Sequence, residues 1–257
     1  MRIQELFDLH EKVAIVTGGG RGLGEQIAMG LAEAGAAVVV CSRKKGACDE
    51  VAEKIKGLGR QSLSLPCDVT NPDDVERVVE ETKRAFGKID ILINNSGTTW
   101  GAPVEQYPLE KFNQVLQVNV TGLFLMSQAV GREMVSRQYG RIVNIASVAG
   151  LVGGDPRFMN AIAYNASKGA VISFTRDLAM KWARQGVTVN AIAPGFFPTK
   201  MSSGLLQQFG EQILERTPMG RYGGETDLKG AALYFASDAS AYVTGQVLAV
   251  DGGVTAM

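Results

Sequence analysis

Seven short runs, most of them rich in Val, Ile and Ala, near residues 12–17, 36–41, 61–65, 89–94, 140–147, 187–193 and 246–250, alternate along the chain with longer stretches of helical periodicity. The runs read as continuously apolar, as strands buried on both faces do. Parallel strands need a crossover between them, and the intervening stretches have the length of helices. The pattern predicts an α/β fold, a doubly wound parallel seven-stranded sheet with helices on both faces. The 257 residues, 46% of them hydrophobic, can bury one such core. No repeat, low-complexity tract or charged linker divides them, so residues 1–257 are expected to form a single domain.

Every marked residue falls at a carboxyl end of one of these runs. Gly18 follows the first, Arg43 the second, Asp68 the third and Asn94 the fourth, while Ser147 closes the fifth and Pro194 the sixth. Open α/β sheets bind ligands outside the carboxyl ends of their strands, so these segments point to one site. Val13-Ala-Ile-Val-Thr17 runs directly into Gly18-Gly-Gly-Arg-Gly-Leu-Gly24, and Leu23, Ile27 and Leu31 then mark one helical face. Strand, glycine turn and helix in succession aim backbone N–H groups and a helix N-terminus at one spot, which suits a phosphate. The Gly-x-x-x-Gly-x-Gly spacing departs from Gly-x-Gly-x-x-Gly, and no Gly-Lys-Ser/Thr follows as in a P-loop. Taken alone, the segment also fits a glycine-rich turn with no ligand.

Tyr164 and Lys168 stand four apart in Ala163-Tyr-Asn-Ala-Ser-Lys-Gly169 and share a helical face. A neighbouring ammonium favours phenolate and lowers a tyrosine pKa, which suits proton exchange with an alcohol or carbonyl. Alone, such a pair fits equally a half-buried tyrosine beside a solvated lysine.

With both motifs in view, the chain resembles the short-chain dehydrogenase/reductase family, in its compact single-domain branch, over nearly its whole length. Thr17 to Gly24 match that family's cofactor turn, and Asn94-Asn-Ser-Gly97 is similar to its Asn-Asn-Ala-Gly element. Asn119, Ser147, Tyr164 and Lys168 match its catalytic tetrad, and Pro194-Gly195 and Tyr242 to Gly253 are also family-like. The resemblance implies a Rossmann-like fold and an oxidoreductase moving hydride between a nicotinamide and a carbonyl or secondary alcohol. Tyr164 is the implied proton donor, and Lys168 the residue that lowers its pKa and meets the nicotinamide ribose. Ser147 is implied to hold the substrate oxygen and Asn119 a water leading to Lys168. The implied cofactor-binding residues are Gly18, Arg21, Gly22, Leu23 and Gly24 in the turn, then Ser42, Arg43 and Lys44. They continue with Asp68 and Val69 at the adenine, Asn95 and Gly97, Tyr164 and Lys168, Pro194 and Gly195, and Thr199 at the carboxamide.

NAD enzymes of this fold place an acid after the second strand, whereas a 2′-phosphate calls for a basic residue. Val38-Val-Val-Cys-Ser-Arg-Lys-Lys45 offers three cations and no acid before Asp49, and Arg21 lies in the turn, so NADP is the expected cofactor. Glu5-Leu-Phe-Asp-Leu9 and Phe196-Phe-Pro-Thr-Lys-Met201 resemble the gluconate 5-dehydrogenase group within the family, which implies a sugar acid. A 3-oxoacyl reductase working on an acyl carrier is the alternative. A catalytically idle cofactor-binding scaffold is a third, against which stands the presence of every reacting residue.

Residues 196–220 are expected to form a substrate lid in which Phe196, Phe197 and Met201 line the pocket. The stretch 151–160 is longer than the family's, and its Arg157, Phe158 and Met159 are expected to shape substrate choice, with Arg157 facing a carboxylate.

Lys plus Arg equals Asp plus Glu at 26 each, which gives no field for nucleic acid or an anionic membrane. No apolar run is long enough to span a bilayer and residues 1–12 are too polar for a signal peptide, so a soluble, cytoplasmic protein is expected. Cys41, Cys48 and Cys67 lack metal spacing and read as reduced thiols. His10 is the only histidine, so neither a histidine triad nor a metal site is expected. The resemblance implies a homotetramer, and the apolar excess around 109–137 and 161–184, with the Val247–Val250 run, suits a subunit boundary.

Overall fold

The computed structural model describes residues 2–155, 157 and 159–256, and within them all seven apolar runs are strands. They are β1 (Val13–Thr17), β2 (Ala37–Ser42), β3 (Ser62–Pro66), β4 (Ile91–Asn94), β5 (Gly140–Ile145), β6 (Val187–Pro194) and β7 (Val247–Val250). They form one sheet of order β3-β2-β1-β4-β5-β6-β7, parallel at every pairing. The helices are α1 (Ile3–Leu6), α2 (Gly22–Glu33), α3 (Lys45–Gly57), α4 (Pro72–Phe86), α5 (Leu109–Leu116), α6 (Gly122–Arg137), α7 (Ile162–Trp182), α8 (Ser203–Glu215) and α9 (Lys229–Ala236).

Side chains alternate across a strand, so each central strand feeds two cores. Ala14, Val16, Val38, Val40, Ile91 and Ile93 pack with Ile27 and Leu31 of α2, Val51 and Ile55 of α3 and Phe235 of α9. Ile15, Val39, Leu92 and Ile142 face the other way, against Val75 and Val78 of α4, Met126, Val130 and Met134 of α6 and Ala179 of α7. This double burial is why these strands carry no polar alternation. Polar chemistry sets the ends of α4: Asn71 accepts a hydrogen bond from Asp73 N at 2.9 Å, Pro72 opens the first turn, and Gly87 closes the helix at φ 78°.

One buried charge fastens the amino ends of the two central strands. Asp90 is 1% exposed and its carboxylate accepts from Val13 N at 2.9 Å and from Arg137 Nη2 at 2.9 Å, with Lys88 Nζ at 3.2 Å. At the opposite edge, the strand order turns outward in both directions from the β1/β4 pair. That reversal opens a crevice at the carboxyl ends, where such sheets bind ligands.

Cys41, Cys48 and Cys67 are buried free thiols, and His10 is exposed and paired with Asp8. Among the described residues no helix is long and apolar enough to cross a membrane, and no acidic, Cys and His cluster could hold a metal.

Candidate active site

The β1/β4 crevice is shaped by glycine and held by Asn95. Gly18 and Gly22 sit at φ 63° and 56°, a region that favours glycine. At Gly24 a Cβ would lie 2.4 Å from both Asn95 Nδ2 and Gly18 O, so a side chain there would push the turn off β4. Asn95 Nδ2 donates to Thr17 O at 3.0 Å and to Gly18 O at 3.2 Å, while Thr17 Oγ1 accepts from the backbone N–H of Asn95 and of Ser96, both at 3.0 Å. The turn thus presents the first amides of α2 in a fixed cradle, the geometry that receives a dinucleotide's pyrophosphate. Opposite it stands Thr199, 3.4 Å from where a Gly22 Cβ would be. Leu23 lies in the first turn of α2, packed on the core, and Gly97 lies near the Asn119 and Lys168 side chains, 3.4 and 3.8 Å from where its Cβ would be.

Beyond β2, Ser42 Oγ accepts from Lys44 N at 3.2 Å. Arg21, Arg43 and Lys44 are exposed, and none forms a salt bridge among the described residues. Unpaired cations at the start of α3 oppose the helix dipole, so an anion between them is favoured. Burial pushes the Asp68 carboxyl up, but hydrogen bonds from Thr70 N and Oγ1 and the Arg43 charge outweigh it and hold Asp68 below the usual range. Val69 beside it is buried and closes on α6 at Gly122, where a Cβ would sit 2.6 Å from Val69 Cγ2. A basic, hydrogen-bonding rim beside a phosphate cradle fits NADP.

The residues expected to react come from the end of β5, from α7 and from a π-helical turn. Ser147 follows β5, and its Oγ accepts from Ala149 N at 3.2 Å, which leaves its hydrogen free to donate outward. Tyr164 and Lys168 share the opening face of α7; Lys168 is 5% exposed, donates from Nζ to Ile145 O at 2.6 Å, and lies 5.5 Å from the Tyr164 ring centroid. Gly150 makes this approach possible, because its Cβ would meet the Lys168 carbonyl carbon at 2.6 Å. Asn119 lies 1% exposed in the π-helical stretch Gln117–Thr121 that joins α5 to α6. Its Oδ1 accepts from Thr98 N at 2.8 Å, and its Nδ2 donates to Thr98 O and Ser167 Oγ, both at 2.9 Å.

One electrostatic expectation is corrected. Burial pushes the Tyr164 phenol above its ordinary value, partly offset by a hydrogen bond with Ser147, and the expected lowering by Lys168 is not the controlling effect. Burial likewise brings Lys168 down to about 8, so the ammonium that would favour phenolate is itself weakened. Residue spacing reveals proximity but not desolvation, and desolvation wins in the protein alone.

The residues expected to form a substrate wall have the following surroundings. Phe197 is 4% exposed and belongs to the core, with its ring filling the space above Gly223. Phe196 and Phe197 border a cavity of about 190 Å³ with Thr217, Met219 and Arg221, and Met201 is exposed. Helix α8 bends at Phe209 (φ −129°, ψ 21°). Pro194 ends β6, and Gly195 packs on the chain after β7, where a Cβ would lie 2.7 Å from Asp251 Cα. The Arg157 guanidinium is directed at Asp155, with Nη2–Oδ2 at 2.6 Å, and Arg216 at the end of α8 reaches the same carboxylate at 2.5 Å. Met159 N donates to Asp155 O at 2.7 Å. Phe158 and Pro156 lie outside the described residues. Two contributors went unforeseen. Ser167, three residues after Tyr164, could have been found from its place in the helix, whereas nothing local in the sequence marks Arg216.

A family model described as enoyl-(acyl carrier protein) reductase matches residues 18–255. A 2-dehydro-3-deoxy-D-gluconate 5-dehydrogenase of Pseudoalteromonas atlantica is 41% identical over 252 residues, 97% of this chain and 98% of that protein. A 3-oxoacyl-[acyl-carrier-protein] reductase of Synechocystis is 40% identical over 248 residues, 96% of this chain and 98% of that protein. The crystal structure of a gluconate 5-dehydrogenase from Burkholderia cenocepacia, in complex with NADP and tartrate, superimposes with a TM-score of 0.94 at 36% identity over 100% of both chains. Likeness of this extent, on a chain whose cradle, basic rim and Tyr164/Lys168 pair meet at one sheet edge, identifies it as a member of the short-chain dehydrogenase/reductase family, an NADP-dependent oxidoreductase acting on CH–OH groups.

Proposed function

We propose that this enzyme interconverts a ketone and a secondary alcohol on a sugar acid of the gluconate kind. The observation that carries the reading is the meeting of Ser147, Tyr164 and Lys168 beside the glycine cradle, in a chain whose whole length aligns with a gluconate-type dehydrogenase. NADPH, when bound, supplies the hydride for reduction. The protein's own groups handle oxygen and proton. Ser147 Oγ, turned by its bond from Ala149 N, donates to the substrate oxygen. Tyr164 gives its phenolic proton to that oxygen as negative charge develops, and takes it back in oxidation. Lys168, fixed by Ile145 O, lies within reach to stabilise the phenolate so formed, and Asn119 holds the proton path behind it. Thr199 faces the turn at Gly22, suited to the carboxamide, and Asp68 with Val69 forms the adenine pocket.

Residues 196–220 act as the lid over this site within one domain, and the loop 151–160 biases substrate choice through Arg157. The 40% identity to a 3-oxoacyl reductase supports acyl ketones as the second reading. NADPH consumption against sugar acids, diketones and acyl ketones decides between them: turnover confined to acyl ketones removes the sugar-acid reading. In the same assay kcat/KM for NADPH is expected to exceed that for NADH by at least about tenfold, roughly 1.4 kcal/mol from charge-assisted contacts to the 2′-phosphate. Arg43→Ala should erase most of that preference. A wild-type preference for NADH would refute the role of the basic rim.

The enzyme works in the cytoplasm as a homotetramer. Leu109 of α5 (73% exposed), Phe124 of α6 (43%) and Met180 of α7 (81%) leave apolar surface that the sheet does not cover. Light scattering is expected to return four times 27.4 kDa, and a monomer at micromolar concentration would exclude the assembly.

A further inference from the structure

The loop that leaves Ser147 and returns to Tyr164 is folded on itself around Asp155. Met159 N donates to Asp155 O at 2.7 Å, and a Cβ on Gly154 would lie 2.7 Å from Met159 Cβ, so the two limbs of the loop touch. The Asp155 side chain is 9% exposed. Its Oδ1 accepts from Arg157 N at 2.9 Å and from Arg157 Nε at 3.0 Å, and its Oδ2 accepts from Arg157 Nη2 at 2.6 Å. Those bonds are internal to the loop. Among the described residues, the polar contact that reaches 153–159 from another segment is Arg216, whose Nη1 lies 2.5 Å from the same Oδ2. Arg216 ends α8, the helix of the lid. That helix is lightly packed: of its 13 residues only Ile213 is buried, and it bends at Phe209. Gly223 N donates to Phe196 O at 2.9 Å and Met219 N to Gly252 O at 3.0 Å, bonds that tie the segments flanking α8 rather than α8 itself. An element with so little buried surface opens locally at small cost, so one fixed contact at its end matters. Hydrogen bonds from the Arg157 side chain and backbone, with the charges of Arg157 and Arg216, hold the Asp155 carboxyl well below the usual range, and the contact is an ion pair at neutral pH.

We propose that Asp155 is a positioning residue for the substrate side of the site: by accepting from Arg157 and Arg216 together it joins the loop after Ser147 to the end of α8, so that loop and lid form one wall. The inference rests on the roles proposed above for the lid and the loop. Arg157 then acts on substrate choice by orienting the Asp155 carboxylate, whose two oxygens it engages from within the loop. Arg216 carries that orientation across to the lid. With either end of the join removed, the other segment loses its tether although nothing in it has been changed.

The test is hydrogen–deuterium exchange of the NADP-saturated protein, read by peptide mass in 151–160 and 203–215. Asp155→Ala is expected to speed exchange in 203–215, and Arg216→Ala in 151–160, each by about threefold or more, while peptides of β1 and β4 keep the wild-type rate. An effect in the segment that was not altered is the mark of the join, since a role in each segment's own folding would not cross. The double variant should exchange no faster than the faster single one, because both substitutions remove the same contact. Arg216→Lys, which keeps a donor for Oδ2, should restore most of the protection. KM for gluconate should rise by about threefold in Asp155→Ala and Arg216→Ala while Kd for NADP stays within about twofold. Exchange that rises only in the altered segment, or Arg216→Lys exchanging as fast as Arg216→Ala, overturns the proposal. A gluconate KM unchanged beside raised exchange overturns it too. The exchange measurement needs no substrate, so a protein that turns over no gluconate ends the sugar-acid reading while the join is still decided.

Discussion

Tyr164→Phe is expected to lower kcat by about a hundredfold or more while the dissociation constant for NADP stays within about threefold of wild type. The substitution deletes one oxygen at the reacting end of the crevice and leaves the ring to fill the same volume beside Lys168. The Asn95 bonds that shape the cradle lie on other segments and are untouched. Lys168→Ala should injure both quantities, because Lys168 is buried where β5 meets α7 and is also the residue expected at the nicotinamide ribose. Pre-steady-state turnover and a fluorescence titration separate the two effects. Retention of more than a few per cent of turnover by Tyr164→Phe would show that the proton comes from elsewhere.

Asp90→Ala is expected to cost about 3–5 kcal/mol of stability, the range for breaking a buried ion pair from one side. The loss leaves Val13 N without its acceptor and the partly exposed Arg137 without its counter-charge, at the point where β1 and β4 begin. For a chain of this length each kcal/mol moves Tm by about 2–4 °C, so a fall of roughly 6–20 °C should appear in a circular dichroism melt. Asp177→Ala, which removes an exposed partner of Lys181, serves as the contrast and should move Tm by no more than about 2–4 °C. If the two variants melt together, Asp90 is not the fastening described.

What could be read from the sequence, and what could not, follows the range of the physics involved. The central strands were legible because burial on both faces removes polar alternation from their runs, whereas the edge strand β3, Ser-Leu-Ser-Leu, keeps it. The glycines of the turn were legible for a similar reason, since Gly18 and Gly22 occupy a backbone region that favours glycine. Asparagine is a poor helix former, and Asn119 lies in a π-helical turn between two helices. The partners of Asn119, by contrast, lie 21 and 48 residues away, and no local pattern names them. Phe197 both borders the cavity beside Thr217 and packs into the core against Gly223, and the second contact could not be read from its neighbours in sequence. Tyr164 beside Lys168 promised an acidified phenol, but desolvation depends on everything packed around the pair and reversed the sign.

The strand order also has a meaning in time. Strands β1 to β4 are made first and lie side by side as β3-β2-β1-β4, and each later strand docks on the one made just before it. A chain emerging from the ribosome can thus assemble outward without waiting for a distant partner, and domains do fold as they are synthesised. Asn95, directly after β4, completes the cradle with its bonds to Thr17 and Gly18 when little more than a third of the chain exists. Ser147, Tyr164 and Lys168 come later, with β5 and α7. The nascent protein acquires the place for its nucleotide before it owns a proton to transfer.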